Sequence, residues 1–332
     1  PGVMGRLVTQ TQPHRAETGA LAQWEGPQRK KKMAKQQARS PQEDQGGEPK
    51  LLGPAQIRAL AADLGIAPTK KLGQNFVHDA GTVRRIVALS GVTPGETVLE
   101  VGPGLGSLTL ALLEVGADVE AVELDGALAA ALPTTVAQRS QEWASRLRIQ
   151  NKDATQITVT DFAAPPTALV ANLPYNVAVP ILLTALEELP SLASALIMVQ
   201  KEVADRLVAD KGSKAYGAPT AKLAWFGQAT RAGLVGPNVF WPKPNVDSAL
   251  GKVVVTPPPG DEELRRKTFD IIDAAFEQRR KMLRSSLRAL QPDAKVLVET
   301  LGRAGVDPQA RPEDLQIQDF VRIAKQWGGS GA

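Results

Sequence analysis

Thr97-Val98-Leu99-Glu100-Val101-Gly102-Pro103-Gly104-Leu105-Gly106 decides the class of fold. An apolar run carrying one acid gives way to glycines at alternate positions and then to the helical apolar period of residues 107–115. A strand that ends in a glycine turn ahead of a helix brings unpaired N–H groups and a sharp, side-chain-free bend to one point, which suits a nucleotide-like ligand. Working outward, further apolar strands are expected at 118–122, 147–149, 169–171, 196–199 and 250–255, with helical stretches such as 128–132 and 180–189 between them. Alternation on this scale predicts an α/β fold, a mainly parallel sheet with helices on both faces. Upstream, Pro54 suits the first turn of a helix through Ile57, Leu60, Ala61 and Leu64 that Gly65 caps, and Asp79 is placed to cap a helix carrying Val83, Ile86, Val87 and Leu89.

Pro257-Pro258-Pro259 ends the alternation and reads as a linker. Helical patterns follow at 264–276, 281–290, 294–301 and 320–327, so the expected organisation is an α/β domain over 51–256 and a smaller all-α domain over 261–330. Residues 1–50 are dominated by Gln, Gly, Pro and charge, show no sustained period and read as a disordered extension. Within them Arg29-Lys30-Lys31-Lys32, with Lys35 and Arg39, is a solvated basic run or a weak nucleic-acid contact, and no apolar segment of a signal peptide follows it.

A chain of 332 residues with 43% hydrophobic content can bury a substantial core, and no apolar run reaches membrane-spanning length, so a soluble protein is expected. The absence of cysteine excludes disulfides, thiolate metal clusters and cysteine nucleophiles, and fits a cytoplasmic location. A net charge of +4 leans toward a polyanionic partner.

The glycine loop narrows the ligand. A dinucleotide fingerprint needs a glycine where Ser107 stands. The observed spacing with Glu100 ahead of it resembles the first motif of S-adenosylmethionine methyltransferases, whose cofactor has no pyrophosphate to cradle. Glu123 closes the second strand about twenty residues past the loop, where a carboxylate can accept both ribose hydroxyls. Asp153, after the third strand, is placed to meet the adenine amine. Each acid alone is more often a strand-end or capping residue than a ligand; together with the loop they point to a nucleoside cofactor.

Asn172-Leu173-Pro174-Tyr175 sits at the carboxyl end of the 169–171 strand, where open α/β sheets bind ligands. An adenine amine is a poor nucleophile because its lone pair is delocalised into the ring. Two acceptors, the Asn172 side-chain oxygen and the Leu173 carbonyl, can draw on the amine hydrogens and favour a pyramidal nitrogen, with Pro174 fixing the turn. Tyr175 would stack on a flipped-out base. Methylation makes the nitrogen strongly acidic, so its proton can leave to water without a dedicated base.

Taken in order, Gly73-Gln74-Asn75-Phe76, Glu100 to Gly106, Val122-Glu123-Leu124-Asp125, Asn172 to Tyr175, Gln200-Lys201-Glu202-Val203, Ser213-Lys214-Ala215-Tyr216-Gly217, Phe240 to Ser248 and Phe276 to Arg284 resemble the motifs of the bacterial rRNA adenine N6-dimethyltransferase family (the KsgA or RsmA family). The likeness implies a Rossmann-like S-adenosylmethionine methyltransferase domain with a smaller C-terminal all-α domain. It also implies two successive methyl transfers to N6 of two adjacent adenosines in a 3'-terminal hairpin of 16S rRNA, within the immature 30S subunit, by a monomer that needs neither metal nor membrane. It places Asn75, Val77, Gly102, Gly104, Glu123, Asp153 and Asn172 around S-adenosyl-L-methionine, and Phe240, in a Pro-rich loop, on the second face of the base opposite Tyr175.

RNA affinity is expected from Arg265, Arg266, Lys267, Arg279, Arg280, Lys281, Arg284 and Arg288, with Lys201, Arg206, Lys211 and Lys214 helping; on charge alone these are equally a solvated helix face. His78, Trp241 and Glu277 depart from the usual motifs without touching either proposed acceptor. A macrolide-resistance methyltransferase acting on 23S rRNA shares the donor and acceptor motifs, but the 276–287 run resembles the small-subunit enzymes. A ribosome-assembly factor that chiefly binds is the reading from another class.

Overall fold

The computed structural model describes residues 50–66, 75–174 and 176–328. Tyr175, the Gly73-Gln74 part of the first motif and the basic run at 29–32 lie outside the described residues. In chain order the elements are α1 (Pro54–Asp63), β1 (Phe76–Val77), α2 (Ala80–Ser90), β2 (Thr97–Val101), α3 (Ser107–Glu114), β3 (Asp118–Glu123), α4 (Gly126–Arg139), α5 (Gln141–Ala144), β4 (Leu147–Asn151) and β5 (Ala168–Asn172). Then come α6 (Ala178–Glu188), β6 (Ser194–Gln200), α7 (Lys201–Leu207), α8 (Ala218–Phe226), β7 (Gly227–Val235), β8 (Phe240–Trp241), β9 (Ser248–Val255), α9 (Glu262–Glu277), α10 (Leu283–Ser286), α11 (Ala294–Arg303) and α12 (Ile317–Gln326).

The main sheet has seven strands in the order β4-β3-β2-β5-β6-β9-β7, parallel from β4 through β6 and antiparallel where β9 pairs with β6 and β7. The chain builds outward from β2 to β4, then returns to lay β5 on the other side of β2. That reversal opens a crevice beyond the carboxyl ends of β2 and β5.

Side chains alternate faces along each strand. Val98, Ala168, Val170, Leu196 and Met198 therefore join one core with residues of α1 to α4, while Leu99, Val101, Leu169, Ala171 and Ile197 join another with residues of α6 and α8. This second core continues into Ile271, Ile272, Leu287, Leu297 and Phe320, so the C-terminal helices bury their apolar stripes in the same cluster as the sheet. Asp79 caps α2 as expected, accepting from the Thr82 N–H at 2.6 Å.

The sheet is mainly parallel, as expected, with the 250–255 strand running antiparallel as part of β9, because an apolar run carries no direction. Two readings are corrected. Strand β7, absent from the sequence reading, is an edge strand with mostly exposed or half-buried residues and so lacks an apolar run. The helix expected over 281–290 is only α10 followed by a 3-10 turn at Leu287–Ala289. Its entry is set from outside, since the Leu283 and Arg284 N–H groups bond to the carbonyls of Ala310 and Pro308. Among the described residues no helix is long and apolar enough to cross a membrane.

Candidate active site

A cavity of about 370 Å³ lies in the crevice between β2 and β5, and its walls include Asn75, Phe76, Val77, Glu100, Gly102, Gly104, Glu123, Asn172, Leu173 and Pro174. The volume falls in the range of small-molecule sites. Residues separated by nearly a hundred positions in sequence thus meet at one strand reversal.

The glycine loop forms the floor. Gly102, Gly104 and Gly106 all have positive φ, at 69°, 57° and 94°. A Cβ on Gly104 would lie 2.9 Å from the Phe76 ring, and one on Gly106 2.6 Å from the Leu132 side chain, so this path is closed to other residues by backbone and by space. Gly106 leads into α3, whose Ser107 hydroxyl donates to the Val77 carbonyl at 2.5 Å and pins β1 over the loop.

Glu123 ends β3 with 8% of its surface exposed. Its Oε2 accepts from the Gly104 N–H at 3.1 Å and its Oε1 from the Asp125 N–H at 3.0 Å. Each oxygen keeps lone-pair capacity, which is what two vicinal hydroxyls require. Burial raises its pKa above the ordinary carboxylate value.

Glu100, 1% exposed, lines the same cavity and accepts from the Thr109 hydroxyl at 2.6 Å. Burial, opposed by the Thr109 bond and aided by the charge of Glu123, pushes it up to about 8. The native state therefore holds a proton that the unfolded chain releases near 4.5, and stability falls as pH rises through that window. Glu100→Gln keeps a carbonyl oxygen for Thr109 but cannot ionise. Its melting midpoint is expected to fall less than the wild type's between about pH 5 and pH 8, with the remaining slope including the contribution of Glu123. Parallel thermal melts check this; identical slopes would exclude a buried proton on Glu100.

Asn172 is the last residue of β5. Its Nδ2 donates to the Asn75 carbonyl at 3.1 Å, which sets the orientation of the amide, and its Oδ1 accepts no hydrogen bond among the described residues. The Leu173 N–H is tied to the Met198 carbonyl at 3.0 Å while its side chain is buried, so the backbone there is held and its carbonyl left without a bond among the described residues. A Cβ on Gly102 would stand 3.9 Å from the Asn172 carbonyl oxygen and 4.0 Å from Pro174 Cδ, so the floor of the cavity and the strand-end tetrapeptide are direct neighbours.

Other expected residues stand elsewhere. Asp153 does not line the cavity; it caps the 3-10 turn Ala154–Gln156. The Thr155 N–H and hydroxyl both bond its Oδ1 at 2.8 Å and lower its pKa. Leu105, Leu124 and Asp125, given no role from sequence, do line the cavity; their signal was position, Leu105 within the glycine loop after β2 and the other two directly after the end of β3. Phe240 is not on an open loop. It lies on β8, 3% exposed, within a hydrophobic core.

Arg265 is removed from the candidate RNA surface, because its side chain is 8% exposed and paired with Glu262 and Glu187. Arg279 is also engaged, with Glu313 at 2.6 Å and with the carbonyls of Lys214 and Ser213. Arg266 and Lys267 pair with Glu262 and Glu263 on the helix surface. Arg280, Lys281 and Arg284 are exposed and have no ion pair among the described residues.

A sequence profile of the ribosomal RNA adenine dimethylase family matches residues 67–327. The chain is 57% identical over 283 residues to the ribosomal RNA small subunit methyltransferase A of Nocardia farcinica, covering 84% of this chain and 97% of that protein. It is 56% identical over 276 residues to the protein of the same name from Leifsonia xyli, covering 83% and 98%. Two solved structures share the fold. A dimethyladenosine transferase from Plasmodium falciparum aligns with a TM-score of 0.62 at 22% identity over 75% of this chain and 95% of its own. The 23S rRNA methyltransferase ErmE aligns at 0.56 and 23% over 76% and 99%.

Proposed function

The chain belongs to the ribosomal RNA adenine dimethylase family, and from that premise we propose that the cavity between β2 and β5 is where it moves methyl groups from S-adenosyl-L-methionine to N6 of adenosines in 16S rRNA. It is an S-adenosylmethionine-dependent rRNA adenine dimethyltransferase. The finer reading is that it acts as a monomer in the cytoplasm on two adjacent adenosines of a 3'-terminal hairpin in the immature 30S subunit. One observation supports the site above the others: Asn172 closes the cavity wall with its amide turned by Asn75, so that Oδ1 has spare acceptor capacity beside the glycine floor.

The donor set fits this cofactor. The cradle is closed to any Cβ at Gly104, a two-oxygen carboxylate stands ready for ribose hydroxyls at Glu123, and the wall is otherwise largely apolar. When bound, the cofactor supplies an activated methyl on a sulfonium centre. The protein's contribution is positional and electrostatic. Asn172 Oδ1 and the Leu173 carbonyl take the two amine hydrogens and turn the nitrogen lone pair out of the ring, Pro174 shapes the turn, and Tyr175, outside the described residues, is the residue assigned to stack on the base. Asp153, outside the cavity wall, would take the adenine amine of the cofactor through Oδ2; the bond from the Lys152 N–H to the Glu123 carbonyl, 3.0 Å, keeps the segment beside the strand end. For Phe240 to meet the base, the β1–β8 ladder has to move, because its ring is buried.

Phosphate contacts are assigned to Arg280, Lys281 and Arg284. Converting all three to Gln is expected to reduce the slope of log affinity for rRNA against log salt by roughly 2–3. Arg265→Gln should lower the melting midpoint and leave that slope unchanged. Filter binding across a salt series separates the two, and an unchanged slope in the triple variant would remove this surface from the interface. Substrate choice is tested by giving the purified protein each immature subunit with labelled cofactor and mapping N6,N6-dimethyladenosine by mass spectrometry. Label confined to the large subunit would overturn the 16S reading.

A further inference from the structure

Segment 75–78 is tied down by three parts of the chain while it walls the cavity. The Asn75 carbonyl takes the Asn172 amide at 3.1 Å, and the Val77 carbonyl takes the Ser107 hydroxyl at 2.5 Å. Strand β1 pairs antiparallel with β8, Phe76 opposite Trp241 and Val77 opposite Phe240, and the His78 N–H extends the ladder to the Val239 carbonyl at 2.9 Å. Asn75, Phe76 and Val77 all face the cavity; Trp241 does not.

The Trp241 ring nevertheless stacks on Phe76, with centroids 6.4 Å apart and planes 25° from parallel. An edge of Phe76 in turn rests where a Cβ of Gly104 would lie, 2.9 Å away. Phe76 is thus clamped between the indole and the glycine floor. An aromatic ring held this way has little freedom to swing into or out of the ligand space, and the clamp's outer jaw directly precedes the run Pro242-Lys243-Pro244.

We propose that Trp241 is a positioning residue for the cofactor: from outside the cavity it fixes Phe76 over Gly104, and through the β1–β8 ladder it links the donor wall to the Pro-rich run. The inference rests on the reading that this cavity takes S-adenosylmethionine, and the experiment separates the two. Binding of the product nucleoside, S-adenosylhomocysteine, is measured by calorimetry with no RNA present, on the full chain and on Trp241→Phe, Trp241→Leu, Phe76→Leu, the Trp241→Leu/Phe76→Leu double variant and Glu123→Ala.

Trp241→Leu is expected to weaken binding about three- to tenfold, the range of one aromatic pair, and Trp241→Phe to restore it to within about twofold. On the Phe76→Leu background, Trp241→Leu should cost nothing further, because the tryptophan acts through that ring. A generally loosened fold would lower the melting midpoint but would show neither rescue by Phe nor loss of the effect on that background. An unchanged affinity in Trp241→Leu, with Glu123→Ala still weakened, overturns the positioning role alone, as does a full penalty on the Phe76→Leu background. If Trp241→Leu does not fold, the Trp241→Phe and Phe76→Leu affinities decide the matter: Phe76→Leu unchanged overturns it, and Phe76→Leu weakened with Trp241→Phe near wild type supports it. An unchanged affinity in Glu123→Ala would instead remove the cavity reading.

Discussion

Asn172→Ala is expected to lower the rate of methyl transfer by about 10²–10³-fold, the scale seen when one group that stabilises developing charge is removed from a preorganised site. The side chain lost has two functions. Its oxygen is the acceptor assigned to the amine, and its Nδ2 holds the Asn75 carbonyl at 3.1 Å, so a smaller loss of cofactor affinity should accompany the loss of rate. Binding to the small subunit should be nearly unchanged, because the exposed basic residues Arg280, Lys281 and Arg284 lie on a different part of the chain. Single-turnover methylation with saturating RNA, alongside subunit binding, reads both quantities. Equal loss of rate and of subunit affinity would make Asn172 a structural or docking residue and return the acceptor role to its neighbours.

Glu123→Ala is expected to weaken cofactor binding by roughly ten- to a hundredfold, the scale of hydrogen bonds made to a charged group. The substitution removes both oxygens that would meet the ribose hydroxyls. It also strips the Gly104 and Asp125 N–H groups of their acceptors, so part of the effect passes through the loop. Glu123→Gln separates the contributions: it keeps one oxygen and should recover part of the affinity. Calorimetry with S-adenosylhomocysteine measures each. Unchanged affinity in Glu123→Ala would take this carboxylate out of the site and remove the reading of the cavity as the place of the cofactor.

How far the site could be read beforehand depended on how local its determinants are. Glu123, Gly104 and Asn172 were legible because each ends or follows a strand, and a strand end is signalled by the residues around it. Phe240 was misread in its setting because a run rich in proline looks like open loop; the two-residue ladder that buries it joins positions more than 160 apart in sequence, and no local pattern encodes that pairing. Arg265 looked like its neighbours Arg266 and Lys267 until helix packing turned it toward Glu187 and the Phe269 ring. Strand β7 was missed because an edge strand need not be apolar.

The sequence by itself determined the α/β class, the glycine loop with its acids, the capped start of α2 and the family, since these rest on residue type and spacing along a short stretch. Only the tertiary structure decided that β5 lies beside β2. Parallel pairing across a crossover is chosen by how the whole sheet buries its two faces, and that choice is what places Asn172 next to the glycine floor. The clamp on Phe76 likewise exists only once β8 has closed on β1, because its two jaws, Trp241 and Gly104, stand far apart in the sequence.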